Sequence, residues 1–433
     1  MDWWLILIII FGSLIVLMLS GMPVAFSFIL INLVGVVLLW GGTAGLELLI
    51  LSMGGSVATF NLLPVALFIL MGEVFFQSGM ALRAIDVLDK WMGRMPGRLG
   101  LLAVVAGTLF GTLSGMSMAS IAMLGSVLVP EMEERGYKKP MSLGPILGSG
   151  GLAIMIPPSS LAIILATLGQ FSIGKLLIAI IVPGLLMAIF YSLYIIIRCT
   201  LQPHLAPTYH VKATPLREKV LLTVKHVLPL SLIVFLVTGV IFIGVATPSE
   251  AAATGTLGAI VLAYLYKGLK WESFKATAFN TVEVTVFILL IITGSKAFGQ
   301  ILVFSGAIGG LTKMVVDLSI PPILLLIAMQ FVILVLGFFM DQVAIMMITI
   351  PIFMPVVNVL GFNPVWFGVM FLLNLEIAST SPPFGMSLFV MKGVAPDDTT
   401  MADIYMAALP FICVDLLVMA LMITFPGVVL WLG

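Results

Sequence analysis

Apolar stretches of membrane-spanning length recur along the whole chain of 433 residues and are separated by short polar segments. A helix needs about 20 mainly apolar residues to cross the hydrocarbon of a bilayer. Eight uninterrupted stretches each predict a plain spanning helix, at about residues 3–20, 24–40, 61–81, 174–197, 227–245, 250–266, 278–304 and 404–431. The pattern predicts an all-α polytopic membrane protein with roughly a dozen membrane segments.

Four further apolar segments carry Gly, Ser, Pro or Asp near their middles, at about 99–130, 141–169, 321–355 and 364–391. Within hydrocarbon, such interruptions are tolerated only where the freed backbone is buried in protein or lines a cavity. We therefore predict two re-entrant helical hairpins, at 99–130 and 321–355. The segments 141–169 and 364–391 are predicted to be discontinuous transmembrane helices.

The two halves of the chain resemble each other at a spacing of 225 residues. That spacing aligns Pro23 with Pro248, Pro130 with Pro355, Gly136 with Gly361, and Pro157-Pro158 with Pro382-Pro383. The matches exceed chance, so we predict a duplicated unit that starts near residues 3 and 228.

The distribution of positive charge predicts how the two copies are oriented. Lys and Arg cluster in 83–98, 135–139, 198–225 and 267–275, which the positive-inside rule assigns to the cytoplasm. In the second copy, 305–320 has one lysine and 356–363 has none, so both are expected outside. The segment 392–403, expected inside, has one lysine against three aspartates and fits the rule least well. We predict two inverted-topology repeats with both termini in the periplasm.

Five segments follow from this reading. They are 1–98 (scaffold helices and a cytoplasmic arm), 99–197 (hairpin, broken helix and closing span), 198–226 (cytoplasmic linker), 227–320 (scaffold helices and a periplasmic arm) and 321–433 (hairpin, broken helix and closing span). The segments 99–197 and 321–433 are expected to form the two halves of a transport domain.

The amino-acid composition argues against several classes of protein. With 61% hydrophobic and 9% charged residues, the chain cannot cover a water-soluble surface. Zero net charge without a basic tract leaves nucleic-acid binding unsupported. Cys199 and Cys413 lack the spacing of a metal site and are expected to be inert packing residues. The amino terminus has no basic region or cleavage site and is expected to be an uncleaved first span.

Helix breaks at mid-membrane expose carbonyl and hydroxyl oxygens that can coordinate Na⁺, and helix amino termini that favour a carboxylate. The predicted Na⁺ ligands are Gly111, Ser114, Ser117, Pro157, Ser159, Gly337, Asp341, Thr380 and Pro382. The predicted substrate ligands are Ser160, Asn374, Ser381 and Gly385. Close helix packing is the alternative interpretation of the Gly- and Ser-rich tips. No cofactor and no metal other than Na⁺, the coupling ion, is expected.

Charged residues within predicted spans need a partner, because a bare charge in hydrocarbon is costly. For Asp341, the partner is expected to be a cation or the substrate. The alternative is a structural role, in which Asp341 forms an ion pair or a hydrogen bond within the protein. Glu73, Glu283, Lys296 and Glu376 are better explained by a structural pair between a glutamate and the lysine. Asn374 and Glu376 are also reserve candidates for substrate binding.

Enzyme chemistry is not supported, because no histidine lies at membrane depth and no nucleophile has a base beside it. No nucleotide-binding segment is recognisable, so energy must come from an ion gradient or an outside partner. We therefore expect a carrier. An intramembrane enzyme acting on lipid, or an ion channel using the same polar tips, are the alternatives.

Short motifs at matched places resemble the large membrane subunit of tripartite ATP-independent periplasmic (TRAP) transporters. They are Gly21-Met-Pro23-Val-Ala-Phe, Thr247-Pro248-Ser-Glu250-Ala-Ala-Ala, the Ser114-Gly115 tip and the two Pro-Pro breaks. The resemblance implies a Na⁺-driven secondary transporter of the bacterial inner membrane and an elevator-type motion of the hairpin-bearing domain. It also implies a periplasmic binding protein that delivers small organic anions, such as C4-dicarboxylates, sialic acid or keto acids, and a small four-helix membrane subunit.

Overall fold

A computed structural model describes residues 2–39, 42–93, 95–114, 117–207, 215–266, 268–318 and 320–431, and every regular element in these ranges is helical. The first half contains α1 (Trp3–Leu19), α2 (Val24–Leu39), α3 (Thr43–Val57), α4 (Leu63–Gln77), α5 (Met80–Met92), α6 (Arg98–Ser114), α7 (Ser117–Glu134), α8 (Lys139–Met155), α9 (Ser160–Gly169), α10 (Ile173–Ala179) and α11 (Ile181–Leu201). The second half contains α12 (Leu216–Leu222), α13 (Leu228–Phe242), α14 (Pro248–Leu265), α15 (Trp271–Phe304), α16 (Ala307–Asp317), α17 (Pro322–Leu336), α18 (Gln342–Val359), α19 (Pro364–Thr380), α20 (Met386–Val394), α21 (Met401–Thr424) and α22 (Pro426–Leu430).

The predicted all-α polytopic class is confirmed. Within the described ranges, six helical stretches are long and apolar enough to cross a membrane, and the bent pair of α8 and α9 makes a possible seventh. Six shorter apolar helices, among them α1, α2, α17 and α19, have 10–17 residues. The helix α14 does not reach the same apolarity, because it is rich in Ala, Gly and Thr.

All four predicted interruptions are confirmed as helix ends. The helix α8 ends at Met155 and α9 begins at Ser160, with a bend of 46° between them. The helix α19 ends at Thr380 and α20 begins at Met386. The segment predicted as the first hairpin consists of α6 and α7, which contact each other, and the second consists of α17 and α18, which also contact each other.

The sequence repeat is also a repeat of helices. The helices α7 and α18 begin and end 225 residues apart, and so do α8 and α19. Gly136 and Gly361 precede α8 and α19 and both have positive φ angles, of 83° and 71°. Only glycine adopts such angles without strain, so the same turn leads into both helices.

Three details differ from the sequence prediction. The helix α3 occupies Thr43–Val57, where the hydropathy pattern predicts no element because its run of apolar residues is short and broken by Gly and Ser. The helix α15 begins at Trp271 rather than near 278 and has 34 residues, so it is ~51 Å long and exceeds the hydrocarbon thickness. The predicted linker 198–226 is partly helical, because α11 continues to Leu201 and α12 lies within it.

The two interrupted helices form the centre of the core. Every residue from Met141 to Met155 in α8 is buried, and so is every residue from Val365 to Thr380 in α19. Glycines allow this close packing. A Cβ atom on Gly111 of α6 would lie 2.6 Å from the Cα atom of Ala153, and one on Gly337 would lie 2.3 Å from the Cβ atom of Ala378. The same Gly-on-Ala contact therefore joins each hairpin to its interrupted helix.

Contacts near the helix ends join segments that the charge pattern predicts on the same side of the membrane, and they are grouped by that predicted side. The first group is joined by the pairs Leu99–Tyr137, Lys138–Leu205, Lys139–Asp398, Trp91–Thr223 and Lys225–Tyr266. The second is joined by the pairs Trp3–Gly310, Phe60–Ser249 and Phe171–Gly368. The helix α8 begins in the first group, and α19 begins in the second.

The close contact of α6 with α8 generates a prediction about stability. The substitution Gly111→Ala forces a methyl group against the backbone of Ala153, so we expect the free energy of unfolding to fall by about 1–3 kcal/mol. Gly12→Ala is the matched control, because nothing lies within 4 Å of a Cβ atom there. Thermal unfolding in detergent measures both variants. Equal midpoints for the two would show that this contact is not tight.

Candidate functional site

Each interrupted helix has a short non-helical stretch that contains a Pro-Pro pair. The first stretch runs from Ile156 to Ser159, and the second from Ser381 to Gly385. Ile156 and Ser381 both have extended backbone angles, and both Pro-Pro bonds are cis. Proline removes the backbone donors that would continue a helix, so both breaks follow directly from sequence.

At the first break, Ser159 and Ser160 have different environments. The Ser159 hydroxyl caps α9 by accepting a hydrogen bond from the amide of Ala162 at 3.3 Å. The Ser160 hydroxyl is buried and has no hydrogen-bond partner. The carbonyl of Pro157 accepts a hydrogen bond of 3.4 Å from the Thr238 hydroxyl of α13. At this break, the Ser160 hydroxyl is thus buried without a partner, whereas the Ser159 hydroxyl serves as a helix cap.

The first tip approaches the second interrupted helix. Ser117, the first residue of α7, is buried beside Gly150 of α8 and Glu376 of α19. Its hydroxyl has no hydrogen-bond partner. Gly111 packs tightly on Ala153. The side chain of Ser114, and Gly115 after it, lie outside the described residues.

The second tip and the second break meet at a narrow crevice, which is too tight for a water-sized sphere. It is lined by Met118, Gly337, Met340, Asp341, Gln342, Ile345, Leu375, Ser379 and Met386. Met118 comes from α7, so both hairpins contribute to this crevice. The structure thus brings together Gly337, Asp341 and the end of α19, as the sequence predicted, but Pro382 and Thr380 do not line it. We call this the Asp341 crevice.

Asp341 is the N-cap of α18. Its Oδ1 atom accepts hydrogen bonds from the amides of Val343 at 2.9 Å and Ala344 at 3.1 Å. No ion pair involves Asp341 among the described residues. These two hydrogen bonds are those expected from the structural interpretation of Asp341.

The other predicted residues of the second break make hydrogen bonds within the protein. The hydroxyl of Thr380 donates to the carbonyl of Glu376 at 3.0 Å, and that of Ser381 donates to the carbonyl of Ile377 at 2.6 Å. The Cα atom of Gly385 is packed against the carbonyls of Ser379 and Ser381, where any side chain would collide. Hydroxyl oxygens retain lone pairs after donating, so these residues can still accept a cation.

Asn374 has a structural partner that sequence reasoning missed. Its amide donates to the backbone carbonyl of Gln330 at 2.6 Å and to the Gln330 side-chain oxygen at 2.9 Å. Both residues are buried, so this contact ties α17 to α19. The amide donor of Asn374 is therefore occupied, which does not favour substrate binding.

The expected pair between a glutamate and Lys296 is not present. No ion pair involves Lys296, Glu73, Glu283 or Glu376 among the described residues. Lys296 instead lines a crevice of about 430 Å³ between α15, α18 and the end of α9, together with Gln170 and Gln300. We call this the Lys296 crevice. The prediction failed because charge composition alone cannot show which spans are neighbours.

Asp415 is a further buried acid, and the sequence patterns did not single it out as a candidate residue. Asp415 of α21 is 2% exposed and accepts a hydrogen bond from the hydroxyl of Tyr191 in α11, which is fully buried. The signal was available, because an aspartate within the apolar run 404–431 is as unusual as Asp341.

An all-helical, multi-pass chain with two interrupted helices of this kind has the fold of a membrane transporter. The YdaH transporter of Alcanivorax borkumensis has a similar fold, with a TM-score of 0.63, 15% identity and coverage of 91% of both chains.

Comparison by sequence places the chain more narrowly. The profile of the family described as tripartite ATP-independent periplasmic transporter, DctM component, matches residues 11–428. The chain belongs to this family and is a large permease subunit of a TRAP transporter, so the resemblance seen in the motifs is confirmed. The family description makes it one component of a three-part transport system that does not use ATP.

Two relatives indicate the range of the family. The C4-dicarboxylate TRAP transporter large permease of Pseudomonas aeruginosa is 31% identical over 86% of this chain and 87% of its own. The ectoine TRAP transporter large permease of Halomonas elongata is 29% identical and covers 98% of both chains. Relatives named as permeases agree with the expectation of a carrier rather than an enzyme. The chain is about equally identical to permeases named for different solutes. Overall sequence identity therefore does not indicate which substrate this chain transports.

The role of Asp341 as a cap generates a prediction. Asp341→Ala removes the acceptor of two amides, so we expect α18 to lose about 0.5–2 kcal/mol of stability, whereas Asp341→Asn keeps the cap. Hydrogen exchange at Val343 and Ala344 measures the effect. Asn363→Ala is the control, because Asn363 caps α19 in the same way and its loss should speed exchange there instead. Unchanged exchange in Asp341→Ala would remove the capping role.

Proposed function

We propose that this subunit imports small organic anions, coupled to a Na⁺ gradient. The observation that carries the proposal is the Asp341 crevice, which places a carboxylate, the end of an interrupted helix and both hairpins at one point. Carboxylate, carbonyl and hydroxyl oxygens are the ligands that hard cations prefer. A cation there neutralises Asp341, and half-helix amino termini nearby favour an anion. The predicted ligands Ser117, Ser159, Thr380 and Pro382 remain part of this proposal.

The surroundings of Lys296 support the proposal that the substrate is an anion. It is a positive charge within a predicted span, it has no ion pair among the described residues, and it lines a crevice with two amide side chains. Lysine and amide groups are hydrogen-bond donors that suit a carboxylate. We propose that a substrate carboxylate, from the class of C4-dicarboxylates, sialic acid or keto acids, contacts Lys296 before or during its passage.

The grouping of loops supports inverted topology. The first group contains the segments predicted to be cytoplasmic, including 392–403, whose Asp398 lies 3.1 Å from Lys139. The second contains Trp3, Phe60, Phe171 and Gly310, all from segments predicted to be periplasmic. Because α8 begins in the first group and α19 in the second, we propose that the two copies are inverted and that both termini face the periplasm of a bacterial inner membrane.

The interface with the scaffold supports an elevator-type motion. Two hydroxyls of scaffold helices donate across it, from Thr238 to the carbonyl of Pro157 and from Ser295 to the carbonyl of Met347. Hydroxyl-to-carbonyl contacts are worth only about 0.5–1.5 kcal/mol each, so these two hydrogen bonds oppose sliding only weakly. We propose that 99–197 and 321–433 move as one body against the scaffold. A small four-helix membrane subunit would extend that scaffold, and a periplasmic binding protein would deliver the substrate.

Uptake into vesicles tests the function. The purified chain is reconstituted with its small membrane subunit and binding protein, and uptake of candidate anions is measured with an inward Na⁺ gradient or with K⁺ replacing Na⁺. We expect saturable uptake that requires the Na⁺ gradient, because a cation must neutralise the site before it moves. Uptake that is independent of Na⁺, or that does not saturate, contradicts the proposal.

The same vesicles test the anion contact. Lys296→Gln removes the charge, so we expect uptake at low substrate concentration to fall roughly tenfold or more, which corresponds to losing a charge-assisted hydrogen bond. Lys313→Gln makes the same change on the exposed surface of α16 and should leave uptake close to the wild-type rate. Equal rates for the two variants would exclude Lys296 from substrate contact.

Cysteine labelling tests the inversion. In a Cys199→Ser, Cys413→Ser background, Glu134→Cys and Val359→Cys mark exposed, equivalent ends of α7 and α18. A membrane-impermeant maleimide applied from the periplasmic side should label Val359→Cys in intact spheroplasts, and Glu134→Cys only after permeabilisation. Labelling of both from the same side would refute inverted topology.

A further inference from the structure

Two segments that are distant in sequence form one basic surface. The helix α5 packs against α12 and against the π-helical turn Thr223–Val227 that follows α12. Trp91 of α5 donates a hydrogen bond of 2.7 Å to the Thr223 hydroxyl, and the Lys90 ammonium lies 3.8 Å from the Glu218 carboxylate. We call α5, α12 and this turn together the α5–α12 surface.

Positive charge converges on this surface from both segments. Its five cations are Arg83, Lys90, Arg217, Lys219 and Lys225. His226 lies among them, because Arg83, Lys90 and Lys225 all act on it electrostatically. The Lys219 ammonium lies 5.7 Å from the centre of the Trp91 ring. The cations of the arm and those of α12 are therefore neighbours in the folded protein.

Most of these cations have no acid beside them. Of the five, only Lys90 belongs to an ion pair among the described residues. Asp86 also acts electrostatically on Lys90, and Asp89 is paired with Arg98. The acids of α5 thus leave the other four cations without compensation. The surface keeps an excess of positive charge that an anion can neutralise.

A neighbouring basic segment predicted on the same side is neutralised within the protein. Arg135 pairs with Glu131. Lys139 pairs with both Glu133 and Asp398. The positive-inside rule explains why cations lie on this side of the membrane. It does not explain why four of them stay unpaired at one place.

The same surface exposes apolar side chains. No residue of α12 or of the π-helical turn is buried. Leu216, Val220 and Leu221 are 68%, 46% and 65% exposed. Their spacing of i, i+4 and i+5 places them on one side of α12. A short helix that combines an apolar side with cations is typical of a segment that lies among lipid headgroups.

The length of the span places α12 at that level. The helical stretch Leu216–Phe242 has 27 residues, so it is ~40 Å long and exceeds the hydrocarbon by ~10 Å. When α13 crosses the hydrocarbon, α12 is the part that emerges. Trp91 and Tyr266 lie beside it, and the Tyr266 hydroxyl donates to the carbonyl of Lys225. Trp and Tyr are enriched at the boundary between hydrocarbon and water.

We propose that the α5–α12 surface binds an anionic phospholipid, whose phosphate contacts the cations around His226 and Trp91 while its acyl chains cover the apolar side of α12. Lysine and arginine donate charge-assisted hydrogen bonds to phosphate oxygens. A soluble anion would leave the apolar side chains uncovered. An apolar helix of another protein would leave four cations without an anion. A phospholipid supplies both the charge and the chains.

A lipid bound here holds the arm of the scaffold. The helix α5 ends at Met92, and α6, which begins the first hairpin, starts at Arg98. The bound lipid therefore fixes α5 to the membrane a few residues before the first hairpin begins. Lipid binding at this surface does not depend on the proposed import function, so the two can fail separately.

Native mass spectrometry tests lipid binding without any transport. The full chain is purified in detergent, freed of lipid, and titrated with phosphatidylglycerol or with phosphatidylcholine of the same acyl chains. We expect phosphatidylglycerol to bind more tightly. Arg83→Gln combined with Lys225→Gln should weaken its binding roughly thirtyfold, because each basic residue near an anionic lipid contributes about fivefold. Arg217→Gln combined with Lys219→Gln removes the two cations of α12 and should have a similar effect.

A double variant elsewhere in the chain is the matched control. Lys175→Gln combined with Lys313→Gln also removes two exposed lysines that have no ion pair in the part of the chain that the structure describes. This variant should keep the wild-type affinity. Equal affinity of the wild type for the two lipids, or an equal loss of affinity in all three double variants, overturns the proposal.

Two competitors separate a lipid from other occupants. Inorganic phosphate at millimolar concentration has the charge but no chains and should not displace phosphatidylglycerol. The small membrane subunit of the transporter should bind the chain with phosphatidylglycerol still attached. Displacement by phosphate would assign the surface to a soluble anion. Displacement by the subunit would make it a protein interface, and either result overturns the proposal.

Discussion

The close crossing of α8 and α19 is the constraint on which the rest of the structure depends. Glu376 lies directly against Gly151, and any side chain at Gly151 would collide with it. These two positions are 225 residues apart, so the same position of the repeat meets itself at the crossing. A second glutamate would place two acids in one buried space. The two copies differ here, with glycine in one and an acid in the other.

That crossing brings the parts of the site to one place. Each hairpin packs on its interrupted helix through a glycine, Gly111 on Ala153 and Gly337 on Ala378. Because α8 and α19 also contact each other, the tip of α7 reaches the second interrupted helix through Met118 and Ser117. A tip and a break from different copies are thus neighbours.

The polar atoms of this core fall into two kinds. The hydroxyls of Thr380 and Ser381 bond to carbonyls of their own helix, and Asp341 caps α18. These hydrogen bonds pair with backbone groups at the helix ends and stabilise the two breaks. Ser117, Ser160 and Glu376 have atoms without a hydrogen-bond partner.

The sequence by itself determined the membrane class, the positions of the breaks and the repeat, because the length of an apolar run, a Pro-Pro pair and a matched spacing are all local properties of the chain. It also identified Asp341 and Gly337, which the structure brings to one crevice with the end of α19. It could not find the unpaired Lys296, the amide contact of Asn374 with Gln330, or the meeting of Ser117, Gly151 and Glu376. These three features depend on which buried helices are neighbours. Helices that are apolar on every side do not show in their sequence which face meets which partner. Their neighbours are decided by the close packing of small residues and by hydrogen bonds to buried polar atoms.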